Sequence, residues 1–326
     1  MKITMIGTGA YGLSLALMLA KKEKNNIVMW SENPAIVEEF KSTKTLNSIL
    51  KDIEIPSNIE VTNSYEEAMK DTKMIFITSA AKFVKNICDS IKPFYKSNIP
   101  ICIASKGIEE HSLMLLSSVV NDTLNTNKIV NISGPTFAID LAKNEPSALA
   151  IAGLDKKALK VVKNTLENDT LKLRVSNDIL GIQICGSVKN IIAIAAGIVK
   201  GLGYTESTQA FLINESIHDI KYLIKCLGGN PKTILSFAGI GDLLLTCTST
   251  KSRNFSFGYV IGSTKDKKKI KEFLANNTVE GYYTLLSMYK LIKKKRIKMP
   301  IIDLIYDIVM NDVDASKLTE FLITKD

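Results

Sequence analysis

The 326-residue sequence is poor in the residues that build metal sites and disulfide frameworks. Its five cysteines are widely scattered and form no C-x-x-C pair, which fits neither a zinc knuckle nor a disulfide-stabilised fold. His111 and His218 are the only histidines, so the sequence does not support a histidine-rich metal site. We therefore expect no metal, and we expect any general base to be a lysine, an aspartate or a glutamate.

Arginine and aromatic residues are also scarce. Only three of the 42 basic residues are arginine, and aromatic residues make up 7% of the chain, whereas nucleic-acid recognition commonly uses arginine forks and stacking aromatics. The formal charge of +9 is carried by lysines, whose runs at 265–269 and 293–296 are typical of solvated faces. We expect no nucleic-acid partner, and a positive field favours a small anionic substrate.

Long uninterrupted apolar runs are absent from the sequence. The apolar run at 190–199 is flanked by Lys189 and Lys200, and it is far shorter than the roughly 18–20 residues that span a bilayer. The first residues lack the apolar core and cleavage site of a signal peptide, and they are typical of a strand that enters a glycine loop. These absences predict a cytoplasmic protein without a membrane partner.

The pattern of the chain changes near Ser176. Before it, short β-branched runs at 2–6, 26–30, 74–78, 99–104, 129–132, 148–151 and 171–175 alternate with helical patterns, which is typical of an α/β doubly wound sheet. After it, long helical stretches at 177–200, 206–227, 280–295 and 301–309 take over. The sequence predicts a Rossmann-type dinucleotide-binding domain at 1–176 and an all-helical substrate-binding domain at 177–326.

Two helix starts in the first half carry clear capping signals. Asn33 followed by Pro34 is typical of an N-cap and a first-turn proline, and Ser64 with Glu67 matches a capping box. We expect helices to begin at both places.

A glycine-rich loop follows the first predicted strand. Gly7, Gly9 and Gly12 form the pattern G-x-G-x-x-G at the start of an apolar helix, and this context predicts a dinucleotide site. The first glycine permits a tight turn, the second lets a pyrophosphate approach the backbone, and the third allows close helix–sheet packing. A purely structural glycine turn is the alternative.

Glu32 is the acidic residue that follows the second predicted strand, 20 residues beyond Gly12. A carboxylate at this place accepts hydrogen bonds from the adenosine ribose hydroxyls and repels a 2′-phosphate. We therefore expect the protein to prefer NAD(H), which lacks the 2′-phosphate, with NADP(H) as the alternative. A charge at a helix start beside Pro34 explains the same residue.

Two further segments place polar groups after buried strands. Lys106 follows the strand at 99–104, and Gly134 and Thr136 follow the strand at 129–132. Because strand carboxyl ends point into the ligand crevice of such sheets, Lys106 is a candidate substrate contact, and the Gly134 turn offers amides and a hydroxyl. A solvated loop lysine and a conformational Gly-Pro turn are the alternatives.

The helical half holds the stronger candidate for proton transfer. Lys189 and Asn190 lie in a long apolar helix, where a lysine must either extend to water or be used. Desolvation favours the neutral amine, which is the form that a general base needs. Asp242 and Thr246 are four residues apart and therefore share one face of a helix.

A third polar cluster precedes a predicted helix further along the chain. Ser252, Arg253 and Asn254 bring together a hydroxyl, a guanidinium and an amide, a combination that suits a phosphate. An ordinary N-cap and a surface arginine also explain these residues.

Together these motifs resemble the NAD(P)-dependent sn-glycerol-3-phosphate dehydrogenases of the bacterial biosynthetic type. The match covers nearly the whole chain, and its most specific parts are Gly-Ser-Val-Lys-Asn at 186–190 and Thr-Cys-Thr-Ser-x-x-Ser-Arg-Asn at 246–254. The resemblance implies reversible hydride transfer between C2 of sn-glycerol 3-phosphate and the nicotinamide, with dihydroxyacetone phosphate as the ketone. It also implies a homodimer that supplies glycerol 3-phosphate for phospholipid synthesis.

The resemblance implies roles for the residues singled out above. Lys189 is then the general base for alcohol oxidation and the acid for ketone reduction, and Lys106 and Asp242 hold the reacting hydroxyls. The other implied substrate contacts are Gly134, Thr136, Asn190, Thr246, Ser252, Arg253 and Asn254. The implied cofactor contacts are Gly9, Ala10, Tyr11, Gly12, Lys106, Ala138, Arg253 and Glu280, to which the glycine loop adds Gly7 and the second strand adds Glu32.

The chain departs from the family pattern at three places. Ala10 and Tyr11 replace the usual Ser and Trp of the glycine loop, and Ser31-Glu32-Asn33 follows the second strand, where many relatives carry an arginine suited to a 2′-phosphate. After the strand at 74–78, Ile77-Thr78-Ser79 replaces the family's Val-Pro-Ser turn. Two rival functions remain open: a β-hydroxyacid or ketopantoate-type reductase, whose substrate anion is a carboxylate, and a catalytically silent NAD-binding regulator. The regulator is disfavoured because Lys106, Lys189 and Asp242 are all chemically competent groups.

Overall fold

A computed structural model describes residues 1–264 and 266–325 of the chain. By its contacts the chain divides into two compact units. The short segment Lys106–Leu115 interrupts the first unit in sequence and belongs to the second. The first unit comprises Met1–Ser105 and Leu116–Ile179, and the second comprises Lys106–Leu115 and the chain from Leu180 onward. The domain boundary near Ser176 stays a prediction, because a compact unit need not be an independently folding domain.

The first unit contains a mostly parallel sheet of eight strands among the described residues, which confirms the predicted doubly wound fold. The strand order is β3-β2-β1-β4-β5-β6-β7-β8, and β6 and β7 form the antiparallel pair. The strands are β1 Lys2–Ile6, β2 Asn26–Trp30, β3 Ile59–Thr62, β4 Met74–Ile77, β5 Ile101–Ile103, β6 Ile129–Ser133, β7 Ser147–Gly153 and β8 Leu171–Val175.

The edge strand β3 is absent from the sequence-based set of strands. It is four residues long, and it pairs with only one neighbour, β2, in parallel register. Three of its four residues are β-branched, but a run of four residues is the shortest over which strand alternation can be recognised. By contrast, the central strands β1 and β4 bury both faces, as the buried consecutive residues at 5–6 and 75–76 show, and this double burial gives the continuous apolar runs that the sequence displays.

Helices α1–α7 cover this sheet, and both capping signals mark real helix starts. The helices are α1 Ala10–Ala20, α2 Pro34–Thr43, α3 Tyr65–Met69, α4 Val84–Ile91, α5 Leu116–Leu124, α6 Ala138–Ala142 and α7 Lys156–Leu166. The Asn33 side chain accepts a hydrogen bond from the Ala35 amide at 3.0 Å, and the Ser64 hydroxyl accepts one from the Glu67 amide at 3.2 Å. The return bond of the capping box is replaced, because the Glu67 carboxylate accepts from the Thr62 hydroxyl at 2.5 Å.

The second unit is helical, as predicted. Its described part adds to the helices only an isolated β-bridge between Ile108 and Leu115. The helices are α8 Ile179–Gly201, α9 Glu206–Cys226, α10 Asp242–Thr248, α11 Arg253–Ser263, α12 Lys267–Asn276, α13 Glu280–Lys295, α14 Pro300–Met310 and α15 Lys317–Thr324. The segment Phe237–Gly241, which is kinked at Gly239, leads directly into α10.

Helix α8 is apolar over most of its length. Among the described residues it is the one helix whose length and composition would allow it to cross a membrane, and its apolar window is entirely buried within the structure. Lys189 and Lys200 lie within it, so it is not the uninterrupted apolar run that a bilayer span is expected to need. Complete burial is typical of a core helix in a globular protein.

Helices α8 and α11 approach each other closely through glycines. A β-carbon added at Gly197 of α8 would lie 2.0 Å from the Phe255 carbonyl oxygen, and one added at Gly258 of α11 would lie 1.9 Å from the Ile194 carbonyl oxygen. Both obstacles are backbone atoms, which cannot move aside without moving a helix. The separation of the two helices is thus set by backbone contact.

Replacing Gly258 by alanine should destabilise the protein by about 1–3 kcal/mol, the cost of overpacking a close contact. Intrinsic helix propensity alone would give the opposite sign, because alanine is about 1 kcal/mol better than glycine inside a helix. Urea unfolding of the two proteins measures the difference. As a control, Ser263→Ala on the exposed end of the same helix should change the free energy of unfolding little. Stabilisation by Gly258→Ala would show that the helices can separate freely.

Candidate active site

The glycine loop between β1 and α1 has the shape that a dinucleotide needs. Gly7 adopts a φ of 118°, which favours glycine, and a β-carbon at Gly12 would lie 2.5 Å from the Gly7 carbonyl oxygen. At Gly9, which caps α1, an added β-carbon would meet nothing within 4 Å. The open space lies beside the helix N-terminus, where backbone amides and the helix dipole favour a pyrophosphate.

The start of α1 is tied to the segment that follows β6. The Tyr11 hydroxyl lies 3.1 Å from the Thr136 hydroxyl, and the Ser14 hydroxyl donates to the Ala138 carbonyl oxygen at 2.6 Å. A β-carbon at Gly134 would lie 2.9 Å from the Ala148 carbonyl oxygen, so the turn before Thr136 is close-packed. The structure therefore brings together Tyr11, Thr136 and Ala138, which sequence analysis selected from two separate motifs.

Glu32 is exposed directly after β2. Its neighbour Ser31 is buried and accepts a hydrogen bond at 2.8 Å from the Thr8 hydroxyl in the glycine loop. In addition, the Gly7 amide donates to the Trp30 carbonyl oxygen at 3.1 Å. These bonds fix the end of β2 against the loop, so the carboxylate of Glu32 extends from a rigid base at the same sheet edge.

In the second unit, two lysines share the carboxylate of Asp242. The Lys189 ammonium nitrogen, Nζ, lies 2.5 Å from Asp242 Oδ1, and the Lys106 Nζ lies 2.8 Å from Asp242 Oδ2. Asp242 is only 1% exposed and Lys189 7% exposed. The structure thus brings Lys106, Lys189 and Asp242 together in one largely buried cluster, and their roles stay a prediction.

Thr246 completes this cluster from the next turn of α10. Its hydroxyl donates to the Asp242 carbonyl oxygen at 2.6 Å and lies 2.8 Å from Lys189 Nζ. Because a hydroxyl has a single proton, and here the carbonyl takes it, the oxygen of Thr246 accepts from Lys189. The i, i+4 spacing of Asp242 and Thr246 thus places two acceptors around one amine.

Burial and charge act on this cluster in opposite directions. Burial lowers the pKa of Lys189, Asp242 opposes that shift, and the nearby Lys106 adds to it, so that the pKa of Lys189 falls to about 8. Burial alone would raise the pKa of Asp242, but the two lysines outweigh burial and hold this pKa below its ordinary value. The cluster therefore combines a permanent carboxylate with an amine that changes charge close to neutral pH.

A second network joins α8, α11 and α13. The Asn190 amide nitrogen lies 3.5 Å from a carboxylate oxygen of Glu280, and the Gly281 backbone amide donates to Asn254 Oδ1 at 2.8 Å. A β-carbon at Gly281 would lie 2.6 Å from the Asn190 carbonyl oxygen. Asn254 is thus partly occupied in holding the start of α13 and retains its amide nitrogen as a donor.

The remaining residues of the predicted phosphate cluster lie at the start of α11. Ser252 is the N-cap, since its hydroxyl oxygen accepts from the Phe255 amide at 3.3 Å, and it keeps a proton to donate. Arg253 is exposed in the first turn of the helix. The first turn of this 11-residue helix therefore carries a hydroxyl donor and a guanidinium.

Sequence reasoning missed two participants in these networks. Cys247 is buried beside Lys189 and Asp242, and burial raises the pKa of its thiol, so it forms a neutral wall of the cluster. The Gly281 amide is the partner that orients Asn254. Cys247 adjoins Thr246 in the motif already noted, but neither residue type signals such a role without coordinates.

Across residues 1–264 and 266–325, no group of three or more His, Cys, Asp or Glu side chains is arranged to hold a metal ion. A glycine loop that opens a parallel sheet, followed by a helical unit with a buried lysine–aspartate cluster, defines a class: oxidoreductases that use a nicotinamide dinucleotide.

Comparison with known proteins identifies the family within this class. Models of the NAD-dependent glycerol-3-phosphate dehydrogenase N-terminus and C-terminus match residues 2–159 and 178–320. The chain is 34% identical to the glycerol-3-phosphate dehydrogenase (NAD(P)+) of Clostridium tetani, with 99% of this chain and 92% of that relative covered. It is 32% identical to the enzyme of the same name from Staphylococcus epidermidis, with 100% and 98% covered.

A solved structure agrees with these sequence relatives. The crystal structure of glycerol-3-phosphate dehydrogenase from Coxiella burnetii superposes with a TM-score of 0.94 at 29% identity, covering 99% of both chains. The chain therefore belongs to the NAD-dependent glycerol-3-phosphate dehydrogenase family, and the resemblance inferred from its motifs is confirmed.

Proposed function

We propose that this protein catalyses the reversible oxidation of sn-glycerol 3-phosphate to dihydroxyacetone phosphate with a nicotinamide dinucleotide. The observation that carries the proposal is the cluster in which Lys189 is buried against Asp242 and Thr246, at the position where the family resemblance implies a general base. The match of both family models and of full-length relatives supports the same substrate.

The proton step follows from the state of the cluster. A neutral Lys189 accepts the proton of the C2 hydroxyl during oxidation, and the protonated amine returns it to the ketone oxygen during reduction. A nicotinamide dinucleotide held by the glycine loop at residues 7–12 would supply the hydride acceptor for oxidation at C2 and the hydride donor for reduction. Lys106 keeps a positive charge near the reacting oxygen, and Asp242 fixes both amines in place.

The phosphate of the substrate suits the start of α11. The Ser252 hydroxyl, the Arg253 guanidinium and the remaining Asn254 amide donor lie at a helix N-terminus, where the dipole favours an anion. Arg253 offers a fork to a phosphate oxygen pair. The roles that the resemblance gives to Gly134 and Thr136 as substrate contacts, and to Ala10, Arg253 and Glu280 as cofactor contacts, belong to the same proposal.

The finer expectations are part of the proposal as well. We propose a cytoplasmic homodimer that works without a metal and supplies glycerol 3-phosphate for phospholipid synthesis. The homodimer and the biosynthetic role rest on the family resemblance. The metal-free reaction rests on the chemistry, since proton transfer to Lys189 and hydride transfer from C2 need no Lewis acid.

A substrate screen separates the proposal from its nearest rival. With purified protein and NADH, consumption followed at 340 nm should be rapid with dihydroxyacetone phosphate and negligible with ketopantoate and other 2-ketoacids, because only the former offers a phosphate to Arg253 and Ser252. A ketoacid turned over faster than dihydroxyacetone phosphate would replace the proposed substrate.

Replacing Lys189 by alanine should lower kcat about 10²–10⁴-fold, the range for general acid–base catalysis, with little change in the affinity for NADH. In the unsubstituted enzyme the rate of glycerol 3-phosphate oxidation should rise with pH through about 8, because the amine becomes neutral above its lowered pKa. The rate of ketone reduction should fall over the same range, since it needs the protonated amine.

Stopped-flow kinetics against pH, with NADH binding measured by fluorescence titration, test both parts of this prediction. The change in rate near pH 8, which forms one limb of the pH–rate profile, should vanish in Lys189→Ala. A variant that keeps near-normal turnover, or that keeps the same limb, would remove Lys189 from the proton step.

The exposed Glu32 should set a preference for NADH over NADPH, measured as kcat/KM. Glu32→Ala should lower the ratio of kcat/KM for NADH to kcat/KM for NADPH. The value for NADH should fall because the acceptor for the ribose hydroxyls is lost, and the value for NADPH should rise because the repulsion of the 2′-phosphate is lost. Glu38→Ala, an exposed carboxylate on α2, is the matched control and should leave the ratio unchanged. A larger kcat/KM with NADPH in the unsubstituted enzyme would contradict the preference.

A further inference from the structure

Glu109 is a buried carboxylate in the segment that carries Lys106, and no motif of the sequence drew attention to it. Its side chain is 1% exposed, although a carboxylate is costly to bury without partners. A single oxygen, Oε2, accepts from the Ser112 amide at 2.6 Å, the Ser112 hydroxyl at 2.6 Å and the His111 amide at 3.2 Å. These donors satisfy the charge from within its own loop.

The same bonds close the segment Lys106–Leu115 into a compact loop. The Glu109 amide donates to the Met114 carbonyl oxygen at 3.0 Å, the Leu113 amide donates to the Glu109 carbonyl oxygen at 3.0 Å, and Ile108 pairs with Leu115 in an isolated bridge. Glu109 therefore forms hydrogen bonds through its amide, its carbonyl and its carboxylate, and these bonds hold the two ends of the loop together.

Lys106 lies at the entry to this closed loop. Gly107, with a φ of 137°, makes the turn between Lys106 and the bridge at Ile108. The Lys106 side chain is then 13% exposed and reaches Asp242 Oδ2 at 2.8 Å. A lysine has four rotatable methylenes, so its ammonium stays at one place only if the backbone that carries it is fixed.

We propose that Glu109 is a positioning residue, which holds the Lys106 ammonium on Asp242 by closing the Lys106–Leu115 loop. This inference rests on the proposed function, because it assigns Glu109 to the reaction through Lys106. Glu109 itself contacts neither Asp242 nor Lys189 in the bonds described above. Its effect on the reaction passes through the place and the charge of one amine.

The consequence for Lys189 has a definite sign. The titratable groups that face Lys189 are Asp242, Lys106 and the buried thiol of Cys247. Lys106 disfavours a second positive charge beside it, and it shares the carboxylate that would otherwise belong to Lys189 alone. Releasing Lys106 therefore favours the protonated form of Lys189, and oxidation should need a higher pH.

The decisive experiment is a double-mutant cycle with Glu109→Gln and Lys106→Ala. Glu109→Gln should lower kcat/KM for dihydroxyacetone phosphate about tenfold, within the range of coupling between residues of one network, and leave KM for NADH unchanged. It should also move the limb of the oxidation profile to higher pH. In the Lys106→Ala background the same substitution should have no further effect, because the group that it positions is gone.

Two controls separate this role from a structural one. Glu110→Gln changes the neighbouring carboxylate, which is exposed, and should leave kcat/KM and the pH limb unchanged. Ser112→Ala removes one of the three donors to Glu109 and should give a smaller change in the same direction as Glu109→Gln. Equal losses from Glu109→Gln with and without Lys106, or an unmoved pH limb, would overturn the proposal.

A readout that needs no substrate keeps this inference separate from the proposed function. Brief labelling with acetic anhydride, analysed by mass spectrometry, reports the access and protonation of each lysine. Glu109→Gln should raise the labelling of Lys106 several-fold relative to exposed lysines such as Lys267. The far-UV circular dichroism spectrum, which reports the secondary structure, should stay unchanged. Unchanged labelling of Lys106 would overturn the positioning role, whereas an enzyme inactive with dihydroxyacetone phosphate but showing the increase would overturn only the proposed substrate.

Discussion

The carboxylate of Asp242, buried and shared by two lysines, is the interaction on which the second unit depends. A buried ion pair recovers its desolvation cost only with good geometry and further hydrogen bonds. Each carboxylate oxygen here has an ammonium partner, Lys189 at 2.5 Å and Lys106 at 2.8 Å. The Thr246 hydroxyl accepts a further hydrogen bond from Lys189. The removal of Asp242 would leave two cations close together without a counter-charge. The cluster is thus held as a unit, and no one of its three charges is independent of the other two.

The surrounding helices explain why such a cluster keeps its geometry. Gly197 and Gly258 bring the backbones of α8 and α11 into contact, so the helix that carries Lys189 cannot shift by a side-chain rearrangement. Asn254 then holds the start of α13 through the Gly281 amide, next to Asn190. Side chains that must act on a reacting atom are more accurately placed by packed helices than by loops. Lys106 is the exception because it comes from a loop, and a loop needs its own closure.

Many features of this fold and site can be predicted from the sequence because they depend on residues that are close together along the chain. The glycine loop, the apolar context of Lys189 and the four-residue spacing of Asp242 and Thr246 are all set by neighbours along the chain. The edge strand β3 shows its alternation over only four residues, and the capping box loses its return bond because the Glu67 carboxylate accepts from Thr62, which lies outside the capping-box pattern. The partner of Asn254 is a backbone amide 27 residues away, and Glu109 acts through loop amides. Backbone donors have no sequence signature, so these roles emerge only from coordinates.

The sharing of one carboxylate by two amines also bears on the direction of the reaction. If Lys189 had Asp242 to itself, the pair would favour the ammonium form, and the amine would be a poor base at neutral pH. If Lys189 had no carboxylate, burial would keep it neutral, and it would be a poor acid. With Lys106 taking part of the charge of Asp242, the pKa of Lys189 lies near 8, where both forms are populated. An amine in this state can accept a proton in one direction and return it in the other, which is what a reversible dehydrogenation requires of a single residue.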